Sequence, residues 1–300
     1  MGKKQTKNII AQRNFIVGDR WLYYKIYSGA KTLESILINE ISPLIGKLID
    51  DGVILKWFFV RYNDPSKHLR IRFLLVDPNS FDFIIKFFFP KIKHLFDIGL
   101  INDIQISIYK RELERYGYNT MELAEDFFFS DSMLIISLLR NLNSHEELRW
   151  LYGLKIIDVI LSCFKFSASD KCIHMGYLKD MFGMEFGFNS NLKKQFDRKF
   201  RDNKKRIESF LGLELVDENT GNDLYHFSDY HQKISIISNK IFAYREELQL
   251  EVDIKGLVNS FIHMSMNRLF KSKNRLHELV CYDFLFKHYR SIVGREKYNL

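Results

Sequence analysis

The run Ile54-Leu55-Lys56-Trp57-Phe58-Phe59-Val60-Arg61-Tyr62, followed by His68-Leu69-Arg70-Ile71-Arg72-Phe73-Leu74-Leu75-Val76, decides the fold of this chain. Both runs are rich in the β-branched and aromatic residues that suit a pleated strand. Between them lies Asn63-Asp64-Pro65-Ser66-Lys67. Pro fixes φ, and Asn, Asp and Ser bond to nearby backbone, so this segment turns the chain and the pair predicts a β-hairpin. Successive strand side chains alternate sides. Leu69, Ile71 and Phe73 therefore share one face, and His68, Arg70 and Arg72 share the other.

Upstream, Trp21 to Tyr27 (WLYYKIY) reads as another strand. Leu33 to Leu48 places Leu33, Ile36, Leu37, Ile41, Leu44, Ile45 and Leu48 at helical spacing and stops at Asp51-Gly52. Downstream, Asp77-Pro78-Asn79-Ser80 opens a helix over Phe81 to Phe96 that stops near Gly99, and Asp103 to Tyr109 is a last strand. The order β-α-β-β-α-β is that of a ferredoxin-like sheet. From Met121 the pattern is helical: Met121 to Asn141, Ser144 to Phe164, Asp170 to Phe182, Ser190 to Leu211, Asp229 to Glu247, Ile254 to Phe270 and Arg275 to Val293. No repeat and no Pro/Gly linker separates the halves. The expected class is α+β: one domain over 1–300, with a sheet subdomain at about 20–118 and a helical subdomain at about 119–295 packed on the free sheet face.

Composition sets the outer limits. With 300 residues, 46% hydrophobic and 27% charged, the chain can bury a core without disulfides. Cys163, Cys172 and Cys281 have neither zinc nor CxxC spacing, which suggests a reducing compartment. The start, Met-Gly-Lys-Lys-Gln-Thr, has no signal-peptide apolar stretch, although Gly2 and Thr6 fit the loose myristoylation pattern. Apolar runs such as Met133 to Leu139 fall well short of the roughly 20 residues a bilayer span needs. A soluble intracellular protein is expected. The net charge of +8 would suit an anionic partner. Its densest run, Lys193 to Arg206, reads as the solvated side of a helix whose other side carries Leu192, Phe196, Phe200 and Ile207.

Candidate chemistry is confined to a few places. The strand His68 to Leu74 is central in a ferredoxin-like sheet, so Arg70 and Arg72 lie mid-sheet on a face the helices should cover. Arginine is rarely buried unpaired, and two together imply an anion: a carboxylate ligand, a phosphate or protein acids. A solvated face or an internal salt-bridge network is the alternative. The charged stretch Tyr109 to Gly117 is by itself an ordinary connection. His263 shares a helix face with Asn267, and no second His or carboxylate gives it metal-binding spacing. It is either a structural histidine or a general acid or base. There is no Gly-rich phosphate loop, Rossmann fingerprint or GxSxG elbow, which disfavours dehydrogenases, P-loop ATPases and serine hydrolases.

Taken together, several segments resemble one family. These are Trp57 to Tyr62 with Asp64-Pro65 and His68 to Arg72; Trp21 with Tyr24 to Tyr27; Glu112 to Gly117; Met121 to Ser132; and His263-Met264 with Asn267-Arg268. In that order they resemble the small, glutamate-eliminating domain of lantibiotic dehydratases, which also occurs alone as thiopeptide-type bacteriocin biosynthesis proteins. The resemblance spans nearly the whole chain. It implies a bacterial, cytoplasmic lyase acting on a ribosomally made precursor peptide. A separate, larger component would esterify Ser or Thr with glutamate from glutamyl-tRNA. This domain would then eliminate glutamate to leave dehydroalanine or dehydrobutyrine. By the same resemblance the site residues are Arg70, Arg72, Glu112, Arg115 and His263, with no cofactor and no metal. The expected partners are the precursor peptide and the glutamylating component; a cyclase and a second copy of the chain are compatible with it, and direct nucleic-acid binding is not expected. One departure is Tyr118, where the family often has a second Gly. Two other functions stay open. One is a thiopeptide pyridine synthase joining two dehydroalanines by [4+2] cycloaddition. The other is a non-catalytic peptide- or tRNA-binding partner.

Overall fold

A computed structural model describes residues 11–142, 145–187, 189–213 and 222–298; the Gly2 and Thr6 pattern and Ser144, where a helix was expected to start, lie outside the described residues. The chain is α+β and divides into two compact units, 1–129 with 239–260 and 130–238 with 261–300.

The first unit begins with β1 (Asn14–Phe15) and β2 (Trp21–Tyr27), then α1 (Ala30–Ile36), a π-helical turn (Leu37–Ile41) and α2 (Ser42–Asp50). The predicted helix from Leu33 to Leu48 is thus present with a widened turn. Pro43, near the start of α2, has no N–H to give to the preceding turn, and the π turn absorbs that defect. The hairpin follows as β3 (Ile54–Tyr62) and β4 (His68–Leu75). A 3-10 turn (Pro78–Ser80), held by Asp77 accepting from the Asn79 N–H at 3.0 Å, leads into α3 (Phe81–Asp97). After it come β5 (Asp103–Ile106), β6 (Tyr109–Lys110) and the single turn α4 (Leu113–Tyr116).

The four long strands form an antiparallel sheet in the order β3-β4-β2-β5, so β4 is central. One sheet face carries Tyr24, Phe73 and Arg61. The Tyr24 and Phe73 rings meet Phe88 of α3, and Arg61 makes a buried 2.7 Å ion pair with Glu34 of α1. The sequence predicted one strand from Asp103 to Tyr109. The pairing with β2 instead ends at Ile106, and β6 pairs with β1 in a separate ribbon. Tyr109 is drawn away because its ring packs against Phe15 and Trp21 while its hydroxyl donates to Glu125 at 2.9 Å.

α5 (Met121–Leu142) supplies its first residues to this unit. There Phe128 packs on Phe58 of the second sheet face, and Glu125 accepts two 2.7 Å bonds from Arg111.

The second unit takes the rest of α5 with α6 (Arg149–Cys163), α7 (Ala168–Glu185), α8 (Ser190–Leu211) and the first part of α9 (Asn222–Glu246). It also takes the end of α10 (Ile254–Leu269), and α11 (Asn274–Tyr298). α6 is apolar and buried nearly all round, as a central helix should be. α7 starts with a capping box, Ser167 and Asp170 each accepting the other's N–H. A Cβ on Gly176 of α7 would stand 3.1 Å from the Phe286 ring of α11, so glycine sets how closely these helices pack. α8 buries Phe196, Phe200, Ile207 and Leu211 and turns its basic side to solvent, as its sequence predicts. Among the described residues no helix is long and apolar enough to cross a membrane.

Candidate functional site

The second face of the sheet is built by alternation. Opposite one another across β2 and β4 stand Tyr23 with Arg72, Lys25 with Arg70, and Tyr27 with His68; β3 adds Phe58 beside Arg72 and Tyr62 beside His68. Arg72 is partly buried, with its guanidinium 4.3 Å from the centre of the Tyr23 ring, 4.7 Å from Tyr109 and 5.3 Å from Phe58. Each such contact contributes about 0.5–2 kcal/mol. Its Nε is sealed from solvent without a hydrogen-bond partner. Burial pushes the Arg72 pKa down, and the nearby Glu112 carboxylate opposes this.

Arg70 is fixed by different means. Its guanidinium lies 3.3 Å from the centre of the Tyr62 ring, and its Nε donates to His68 Nε2 at 3.0 Å. His68 must therefore accept at Nε2 and carry its proton on Nδ1, which donates to the Ser66 carbonyl at 2.8 Å. Burial lowers the pKa of this histidine, consistent with the neutral form that bond requires. The third cation, Lys25, is partly buried and has its pKa lowered by burial and then by Arg70 and Arg72. Among the described residues no carboxylate pairs with Lys25, Arg70 or Arg72.

Glu112 and Arg115 lie in the same unit, at the start and in the turn of α4. Arg115 Nη1 lies 3.4 Å from the Glu112 carboxylate, and its Nε donates to Ser260 Oγ of α10 at 3.0 Å. Gly117 ends α4 at φ +79°, and a Cβ there would come 2.5 Å from Thr120 Oγ1, so only glycine fits. Tyr118 needs no left-handed backbone: its N–H donates to Glu251 at 2.7 Å, and the turn forms without a second glycine.

His263 belongs to the second unit, on α10. Its Nδ1 lies 2.9 Å from Glu278 Oε1 of α11, and Tyr282 donates to Glu278 Oε2 at 3.1 Å. Glu278 is fully buried and the imidazole is partly exposed. A carboxylate can only accept from neutral or charged imidazole, so Nδ1 holds a proton and Nε2 is the nitrogen left to exchange one. Among the described residues no group of three His, Cys, Asp or Glu is arranged to hold a metal ion.

Sequence reasoning names Arg70, Arg72, Glu112, Arg115 and His263 and passes over Lys25 and Glu278. The first had a signal. Alternation in Trp21 to Tyr27 puts Tyr23, Lys25 and Tyr27 on one side, and register with β4 then makes that side the arginine face. Glu278 had none, because it reaches His263 from another helix.

The fold and this face define a class, an α+β protein with a cationic sheet surface. Residues 21–289 match the family model described as lantibiotic biosynthesis dehydratase C-term, and the chain belongs to that family of dehydratase-related biosynthetic enzymes. It is 27% identical over 281 residues to the nisin biosynthesis protein NisB of Lactococcus lactis subsp. lactis, covering 91% of this chain and 26% of NisB. The crystal structure of the tRNA-dependent lantibiotic dehydratase MibB from Microbispora sp. 107891 superposes with a TM-score of 0.71 at 20% identity, covering 93% of this chain and 29% of MibB. The pyridine synthase TbtD from thiomuracin biosynthesis gives 0.63 at 15% identity, covering 90% of this chain and 99% of TbtD. The chain thus spans between a quarter and a third of the two lantibiotic proteins.

Proposed function

We propose that this chain is a glutamate-eliminating lyase acting in the bacterial cytoplasm on glutamylated Ser or Thr of a ribosomally made precursor peptide. Its four-stranded sheet is read as ferredoxin-like. The observation that carries the proposal is the cluster of Lys25, Arg70 and Arg72 on one sheet face, none of them in an ion pair with a carboxylate among the described residues.

In the reaction a base takes the peptide Cα proton, the Cα–H electron pair becomes the alkene, and the Cβ–O bond breaks with its electrons leaving as carboxylate. Positive groups fixed where that charge develops lower the barrier without reorganising. Arg72, held by rings rather than by an acid, keeps its donors for such an oxyanion. By the family resemblance His263 is read as the proton carrier; its Nδ1 is committed to Glu278, which leaves Nε2 for that role. Glu112 and Arg115 orient one another and add to the local field. A glutamylating partner supplies the ester.

The test is incubation with a peptide bearing a glutamyl-serine ester. Glutamate release with dehydroalanine formation supports elimination. The rival function, cycloaddition of two dehydroalanines, is favoured by the likeness to TbtD over almost all of that chain. It would leave the ester intact and close a ring on a peptide already carrying dehydroalanines, an outcome that overturns the lyase assignment.

A further inference from the structure

Lys25 and Arg70 are direct cross-strand partners, and Arg72 lies beside them on the same face. Like charges directly opposite in a sheet destabilise it. Elsewhere this unit pairs its buried cations: Arg61 with Glu34 and Arg111 with Glu125, each at 2.7 Å. Lys25 has no such partner among the described residues, and its ammonium lies 5.7 Å from the centre of the Tyr23 ring. Two guanidiniums already meet the need of one carboxylate, so the third cation needs its own explanation.

We infer that Lys25 is a specificity-determining residue that binds the side-chain carboxylate of the departing glutamyl group. This rests on the elimination reading above. A glutamyl ester made from an aminoacyl-tRNA is joined through its α-carboxyl, so the departing group has two distinct acidic ends. One becomes a carboxylate only as the Cβ–O bond breaks. The other, on the side chain, is charged throughout. The arginines carry planar guanidiniums held against the rings of Tyr62, Tyr23 and Tyr109, and such a fork suits bidentate capture of the new carboxylate. Lys25 is a point charge on a flexible stem, suited to one bond with a carboxylate that does not change during the reaction. An interaction equal in ground and transition states acts on KM and leaves kcat.

The experiment compares glutamyl-serine and glutaminyl-serine esters of the same peptide, using the full chain and its Lys25→Met and Lys25→Arg variants. The wild type is expected to favour the glutamyl ester by about 10–100-fold in kcat/KM, the usual worth of a charge-assisted hydrogen bond. Lys25→Met should raise KM for that ester, keep kcat within about threefold and lose the preference, and Lys25→Arg should restore it. A Lys25→Met variant that keeps the preference, or that loses kcat at unchanged KM, overturns the assignment; the second result would make Lys25 a base instead. A calorimetric titration with free L-glutamate separates this inference from the reading it rests on. Lys25-dependent binding without ester cleavage removes the lyase and keeps the carboxylate site. Cleavage with equal glutamate binding by wild type and Lys25→Met removes the site and keeps the lyase. A chain that neither cleaves nor binds removes both.

Discussion

Two arginines in this protein are sealed in opposite ways. Arg268, in the helical unit, is fully buried and meets the fully buried Asp131 at 2.8 Å, and Asp131 also accepts from Ser265 at 2.6 Å and Tyr230 at 3.1 Å. Arg72, in the sheet unit, is surrounded by rings and has Nε without a partner. The first arrangement neutralises its charge within the fold. The second leaves that charge without an ion-pair partner among the described residues, which is what the proposed elimination needs. A buried ion pair is costly to break from one side, whereas an arginine cushioned by rings can be removed without orphaning an acid. If the proposed function holds, structure and function are carried by different cations, and substitutions should separate them.

The largest expected effect is on the paired side. Asp131→Asn strands the Arg268 charge and should cost about 3–5 kcal/mol, read from the urea midpoint. A loss below about 1 kcal/mol would mean the network is not holding the helices. Removing the imidazole with His263→Ala should slow glutamate release by about 10²–10⁴-fold, the usual range for an acid–base group, and lower the midpoint by about 1–3 kcal/mol, because the fully buried Glu278 keeps only the Tyr282 hydroxyl. Glu278→Gln sharpens this. It keeps the shape but offers Nδ1 a weaker, neutral acceptor, so release should slow by about tenfold or more, with binding of L-glutamate unchanged. If Glu278→Gln weakened only stability, Glu278 would be a packing residue and nothing more.

Lys25→Met gives the smallest change, and its sign is the informative part. Relieving the like-charge contact with Arg70 should raise stability by about 0.2–1 kcal/mol near neutral pH. Burial and the two arginines lower the folded-state pKa of Lys25 below its ordinary value. Between the lowered and ordinary values the unfolded chain binds more protons, so the wild type gains stability as pH rises through that window. The advantage of Lys25→Met should shrink there, as measured by urea midpoints across alkaline pH. An advantage that grows with pH would contradict the charge placement.

Much of this was legible in the sequence, for reasons that also explain what was not. The hairpin was readable because period-two alternation and the Asn63 to Lys67 turn are local signals. The same alternation assigned Leu69, Ile71 and Phe73 to one face and the arginines to the other. Local pattern ran out where tertiary contacts decide. Nothing near Ser107 announces that β5 stops at Ile106, because the pull on Tyr109 comes from Phe15, Trp21 and Glu125. The π turn was hidden for a similar reason, since the apolar spacing from Leu33 to Leu48 continues through it. Register hid Lys25: WLYYKIY shows which residues share a side, and only the pairing with β4 shows which side that is.

Arg72→Gln tests the central claim most directly, with glutamate release from a glutamyl-serine peptide and the urea midpoint measured on the same preparation. If a cation cushioned by rings is held for the departing carboxylate, release should fall by about 10²–10³-fold while the midpoint stays within about 1 kcal/mol of wild type. Release at the wild-type rate, or a midpoint that collapses as in Asp131→Asn, would show that Arg72 belongs to the scaffold.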